Sequence, residues 1–231
     1  MHALPKRRAA ARISAAALAL ALLCCPWRAE AVDQPFWDWA GLSGPCRGDC
    51  RVTVFAGQFL DSTMSDVFLP FDSDYTPPWD LRFREDYMLS LALSRRIATV
   101  GGRFDIEIEG GLGQRFGEAT VTEGWVALYG RWTAFPWNDV VRTSIAVSTG
   151  LNYATAIPDA VLQRSAFGTG NRLLHYFSPE FTLADPAWDS TDLVLRLHHR
   201  SGGGKIWGDV GPFGGVAEGA QYLKLGLRHR F

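Results

Sequence analysis

The chain has 231 residues, 47% of them hydrophobic and 20% charged, and its 23 basic and 24 acidic side chains leave a net charge of −1. That balance excludes the basic footprint of a nucleic-acid-binding domain. Residues 1–31 carry five of the basic residues and one acid, so the remainder is more acidic still.

Residues 1–31 read as a secretory signal peptide. Lys6, Arg7, Arg8 and Arg12 form a basic start, Ile13 to Cys25 is an apolar stretch, and Ala29-Glu30-Ala31 is a small-x-small cleavage site. A transmembrane anchor needs about 20 apolar residues, and here Pro26-Trp27-Arg28 interrupts the run. Residues 32–50 form a pre-barrel segment containing Phe36-Trp37-Asp38-Trp39, expected as a periplasmic cap or an interfacial segment. Within it, Cys46 and Cys50 are spaced for a small disulfide loop in an oxidising compartment. A metal site is the weaker reading, because no second ligand pair accompanies them.

From residue 51 to 231 the pattern is strand, repeated eight times. The segments 51–60, 83–96, 103–113, 120–133, 140–153, 173–184, 191–201 and 220–231 mostly alternate apolar and polar residues at period two. In the second, Tyr87, Leu89, Leu91 and Leu93 oppose Met88, Ser90, Ala92 and Ser94. In the third, Phe104, Ile106 and Ile108 oppose Asp105, Glu107 and Glu109. The fourth carries aromatic residues on both faces. In the last, Leu223, Leu225, Leu227 and the terminal Phe231 oppose Tyr222, Lys224, Arg228 and Arg230.

Charges on the second face (Glu107, Glu109, Arg142, Glu180, Arg196, Lys224, Arg228) are too many for a dry core, but suit a barrel lumen that pairs or hydrates them. Long gaps at 61–82, 154–172 and 202–219 and a moderate one at 114–119 alternate with short ones at 97–102, 134–139 and 185–190. Short periplasmic turns and long extracellular loops have this rhythm. The expected fold is therefore all-β: an eight-stranded, antiparallel, up-and-down transmembrane β-barrel in the outer membrane. Trp125, Tyr129, Trp132, Phe135 and Trp137 are candidates for its aromatic girdles.

The seventh strand carries the chemistry. Leu193, Leu195 and Leu197 form its outward row, which continues to His199 and Ser201. Alternate Cα atoms on a strand lie about 6–7 Å apart, within reach of a His general base and a Ser nucleophile. Gly202-Gly203-Gly204 offers backbone N–H groups for an oxyanion, and Gln221 on the next strand is placed to orient the imidazole. The other reading of His199, Arg200 and Ser201 is a polar cluster where the strand leaves the bilayer, contacting lipopolysaccharide. Arg196 and His198, of opposite parity, are expected in the lumen.

Leu195 to Gly204, with His199-Arg200-Ser201 before a Gly-rich loop and an aromatic-ended final strand, resembles the lipid A 3-O-deacylase family of outer-membrane barrels. The resemblance implies eight strands, a Ser-His-Glu triad on the outer surface and metal-free removal of an ester-linked acyl chain. It maps Ser201 onto the nucleophile and His199 onto the base. Gln221 stands where the family has its acid, with Glu218 three residues earlier as a substitute, and Gly202 stands where the family has Asn. It also implies lipopolysaccharide as partner, with no cofactor. Dimerisation is left open. The rivals are a non-catalytic lipopolysaccharide-binding or envelope-supporting barrel and a small-solute channel.

Overall fold

Alternation at period two sends successive side chains to opposite faces of a sheet, and ten strands follow it in the computed structural model. The structure describes residues 35–62, 76–163, 170–202 and 219–231, with positions 64, 67, 213 and 216. The predicted signal peptide, Gly203, Gly204 and Glu218 lie outside the described residues.

The strands are β1 (Trp37–Trp39), β2 (Cys50–Leu60), β3 (Phe83–Val100), β4 (Phe104–Gly117), β5 (Val121–Trp132) and β6 (Arg142–Ala154). They continue with β7 (Leu173–Phe177), β8 (Glu180–Ala184), β9 (Thr191–Ser201) and β10 (Ala220–Arg230). All pairings are antiparallel: β2 to β6 pair in succession, β7 and β8 both lie between β6 and β9, and β10 joins β9 to β2, with Tyr222 opposite Phe59 and Arg230 opposite Arg51. The ring closes with eight staves in up-and-down order, the architecture expected from the sequence.

The sixth stave is shared by β7 and β8. Tyr176 faces Gly150 and Glu180 faces Ala146, so equal lengths run along both strands and no bulge intervenes. Pro179 lacks an N–H and breaks the ladder there, while its carbonyl still accepts from the Leu197 N–H at 3.0 Å. Two boundaries shift from the predicted ones. β4 runs on to Gly117, shrinking the connection predicted at 114–119, and β3 reaches Val100. The β3–β4 turn holds Gly101 and Gly102 at φ +59° and +66°, left-handed positions that glycine adopts without strain.

The segment ahead of the barrel is partly strand. β1 pairs with Ala98–Val100 of β3 and so prolongs the line of β2. Between β1 and β2 the chain makes an excursion closed by the Cys46–Cys50 disulfide. Arg95 donates to the carbonyls of Gly44 and Ser43 at 2.9 and 3.1 Å. The Gly48 N–H donates to the Phe231 carbonyl at 3.1 Å, and Phe231 N–H donates to Cys50 O at 3.0 Å.

Inside the ring, charge is paired almost without remainder. Glu180 of β8 meets Arg131 of β5 at 2.6 Å, Arg196 of β9 at 2.5 Å and Arg228 of β10 at 2.7 Å. Arg196 also grips both oxygens of Glu109 across the lumen, each at 2.7 Å, a bidentate and strong geometry. Glu107 bridges Arg131 at 2.7 Å and Arg51 at 3.1 Å. Toward the loop end, Arg115 joins Asp86 and Glu123, both at 3.0 Å, and the Tyr222 hydroxyl donates to Asp86 at 2.8 Å. Lys224 Nζ donates to His198 Nδ1 at 2.9 Å, which leaves Nε2–H to donate to Glu123 at 3.2 Å.

Trp125 and Tyr129, expected in a girdle, point inward instead and are buried. The Trp125 Nε1–H donates to Glu109 at 2.9 Å, and its ring stacks on Tyr176. Gly111 makes room for it, since a Cβ there would overlap the indole. Trp132, Phe135 and Trp137 do sit at the short-turn end of the exterior side, where Phe135 and Trp137 stack at 5.0 Å. At the loop end, Phe59, Met88, Leu174, Ala220 and Tyr222 pack with Val161 and Val216 into an apolar plug. The outer surface is the reverse of the lumen, with Leu89, Leu91, Leu93, Val126, Leu128, Val147, Leu225 and Leu227 all exposed.

Removing one partner of a buried ion pair strands the other charge. Glu180→Ala, which takes a carboxylate from three guanidinium groups and leaves Arg228 with Thr53 alone, is expected to destabilise the refolded barrel by about 3–5 kcal/mol. The urea midpoint in detergent reports this, and an unchanged midpoint would mean that the lumen charges are solvated rather than coupled.

Candidate functional site

β9 carries two different rows. Asp192, Val194, Arg196, His198 and Arg200 point inward, where Arg200 lies 3.6 Å from Glu123 and donates to the Arg172 carbonyl at 2.8 Å. Both Arg196 and His198 are thus lumen residues, as their parity predicted. Leu193, Leu195, Leu197, His199 and Ser201 make up the outward row. Exposure changes abruptly along it: Leu193 and Leu195 are 45% and 40% exposed, while Leu197, His199 and Ser201 fall to 4%, 7% and 6%. His199 and Ser201 therefore sit on the outward parity, but the expectation of an openly lipid-facing pair is not met. Leu60 and Gln221, on neighbouring staves, are covered as well.

Register brings the candidates together. In the β9–β10 ladder Gln221 stands directly opposite His199, a pairing that puts Cβ atoms about 4.5–5.5 Å apart. The imidazole Nδ1 and the Gln221 Oε1 are 3.2 Å apart. The amide nitrogen of Gln221 donates to the Ser62 carbonyl just beyond β2. That second bond fixes which way the amide points, since only its NH₂ can donate to a carbonyl. Oε1 must then accept from His199, so the ring carries its proton on Nδ1 and Nε2 is the basic nitrogen. Gln221 thus orients the imidazole as an acid would, without the acid's charge.

The oxyanion candidates fare unevenly. The Gly202 N–H donates to the Val216 carbonyl at 2.8 Å, and while that bond holds it has no proton for a ligand. Among the described residues there is no group of three or more His, Cys, Asp or Glu arranged to hold a metal ion.

One neighbour was missed from the sequence. His175 of β7 stands directly opposite Ser201, as Phe177 stands opposite His199. Its Nε2 lies 3.0 Å from Thr149 Oγ1 on β6. The signal was available. The predicted turn at 185–190 puts His175 within one residue of Ser201, and the observed register, centred on Trp188, makes the two direct partners.

No family model matches the chain, and no curated protein sequence matches it. Among solved structures, Neisserial surface protein A is similar over 81% of this chain and 100% of its own, at 9% identity and a TM-score of 0.46. A de novo designed transmembrane β-barrel covers 82% of this chain and 98% of its own, at 10% identity and a TM-score of 0.42. The outer membrane protein OprG of Pseudomonas aeruginosa covers 81% and 98%, at 9% identity and a TM-score of 0.37. These likenesses concern fold alone, and the barrel rests on its own strand registers.

The Gln221 clamp has a spectroscopic consequence. Histidine ¹⁵N shifts should place the His199 proton on Nδ1 in the native barrel, and Gln221→Leu should release it into a mixture of tautomers. An unchanged tautomer in Gln221→Leu would show that Gln221 does not hold the ring.

Proposed function

We propose that this chain is a bacterial outer-membrane β-barrel that acts as a serine esterase on an acyl ester of lipopolysaccharide, in the manner of the lipid A deacylases it resembles. The membrane part of the reading is supported by a closed ring, an apolar exterior and a lumen whose charges are paired. Only a structure that leaves no strand edge unpaired can cross lipid as sheet. The chemical part is carried by one observation, the His199 Nδ1 to Gln221 Oε1 contact at 3.2 Å, which sets the imidazole in the tautomer a general base needs.

In this mechanism Ser201 Oγ attacks the ester carbonyl carbon while its proton passes to His199 Nε2. The tetrahedral adduct collapses, the C–O bond to the leaving alkoxide breaks, and His199 returns the proton to that oxygen. Water, deprotonated by the same imidazole, then hydrolyses the acyl-serine. Gln221 keeps the ring in place throughout but, being neutral, stabilises the imidazolium less than a carboxylate does. A slow enzyme is the consequence. Glu218 is a second orienter in this proposal, and the amides of Gly203 and Gly204 are the oxyanion donors left by the engagement of Gly202.

The burial of His199 and Ser201 and the engaged Gly202 amide favour a second reading, a barrel that binds lipopolysaccharide or supports the envelope without turnover. A solute channel is disfavoured by Arg196 spanning the lumen from β9 to Glu109 of β4 and Glu180 of β8.

Two measurements test the proposal. Mass spectrometry of lipid A from outer membranes bearing the chain should show the loss of one hydroxyacyl mass, absent with Ser201→Ala or His199→Ala. Unchanged lipid A with the parent chain folded would leave the non-catalytic reading standing. Separately, Leu225→Arg on the exterior should cost about 2–4 kcal/mol of barrel stability in bilayers if that residue faces the lipid midplane. Unfolding titrations in liposomes measure the difference, and a value near zero would place Leu225 in water.

A further inference from the structure

We propose that His175 is a second catalytic imidazole of this site, donating a hydrogen bond to the oxyanion formed when Ser201 attacks. The proposal rests on the esterase reading given above and names a residue that neither the sequence pattern nor the resemblance assigned.

Position is the first argument. Ser201 has two histidines within reach of its outward side chain. His199 lies two residues along its own strand, about 6–7 Å away between Cα atoms. His175 lies directly across the β7–β9 ladder, where opposed Cβ atoms are about 4.5–5.5 Å apart. By register alone His175 is the nearer of the two. The ladder also gives each histidine its own flank: His199 sits between Phe177 and Gln221, and His175 sits between Leu151 of β6 and Ser201.

Orientation is the second argument. The ring of His175 is turned so that Nε2 meets the Thr149 hydroxyl at 3.0 Å, toward β6 and away from β9. When that hydroxyl donates, Nε2 is the acceptor and the ring proton resides on Nδ1. In that tautomer Nδ1–H is not engaged by Thr149, and the proposal sets it against the oxyanion that forms at Ser201, the residue across the ladder. With the Thr149 hydroxyl donating, the two histidines hold complementary states: His199 carries its unprotonated nitrogen at Nε2, and His175 carries its N–H at Nδ1.

Need is the third. Acyl transfer requires donors aimed at the carbonyl oxygen as it gains charge, and the Gly202 amide adjoining the nucleophile is committed to Val216. A side-chain donor from the opposite strand supplies what that amide does not. As Ser201 Oγ bonds to the carbonyl carbon and the C=O electron pair moves onto oxygen, the Nδ1–H of His175 hydrogen-bonds the new alkoxide without transferring its proton. The proton from Ser201 goes to His199, so the two roles do not compete.

The test is single-turnover deacylation of lipopolysaccharide by the refolded full chain, comparing His175→Ala, His175→Asn, Thr149→Val and His199→Ala with the parent. Folding of each is checked by heat-modifiable migration. His175→Ala should lower kcat about 10²–10³-fold, the usual effect of losing one oxyanion donor, with KM changed far less. His175→Asn keeps an N–H donor and should recover part of the rate, which a merely structural role would not predict. His175→Ala should retain the parent's pH profile in its residual rate, whereas His199→Ala should show no turnover at any pH. Full kcat in a folded His175→Ala, or equal losses in Ala and Asn variants, would overturn this proposal alone. An inactive parent chain would overturn the esterase reading and this proposal with it.

Discussion

The rest of the molecule depends on the carboxylate of Glu180 and the three guanidinium groups that converge on it. Those arginines come from β5, β9 and β10, so one side chain from the sixth stave ties half the ring across its own lumen. A buried carboxylate alone is expensive, and so is a buried arginine. Held together, with Arg196 continuing to Glu109 and Arg131 to Glu107, they become a lattice in which each member satisfies its neighbours. The exterior obeys the opposite rule, presenting leucine and valine. A chain with charge inside and hydrocarbon outside has one surroundings in which both faces are satisfied.

That lattice also settles the geometry of the outward face. The rigid lumen fixes the shear between β9 and its neighbours, and register then determines which outward side chains are adjacent. Gln221 meets His199, and His175 stands across the ladder from Ser201, with inward partners such as Arg196, Lys224 and Glu123 behind them. The polar cluster at the loop end is therefore positioned from behind. Its exposure is set by what covers it, and its alignment by what lies under it.

Much of this was legible in the sequence. Strand parity was legible for β3, β4 and β10, where large apolar residues alternate with small, polar or charged ones near the middle. It was not legible for β5, which carries aromatic residues on both faces and where Trp125 and Tyr129 prove to share the inward face with Glu123 and Arg131. An indole N–H and a phenol can sit among charges as readily as in a lipid interface, so their presence does not reveal the side. The pairing of Gln221 with His199 followed from adjacency of the last two strands. The burial of the outward row could not be read, since Leu197, His199 and Ser201 keep the same parity as the exposed Leu193 and Leu195. His175 stands 26 residues before Ser201 on another strand, and only the ladder register brings the two opposite each other.

The seam between β2 and β10 has a consequence for how the barrel is made. Arg228 meets Thr53 across 175 residues of chain, so the first stave waits for the last before its free edge is paired. An exposed strand edge invites association with another chain, and pairings this distant in sequence form slowly. The short excursion closed by Cys46 and Cys50, with its amides on the Phe231 backbone, lies at the meeting point of the two ends. It sits on the seam itself, so the bonds that fasten this excursion form only once β2 and β10 are side by side.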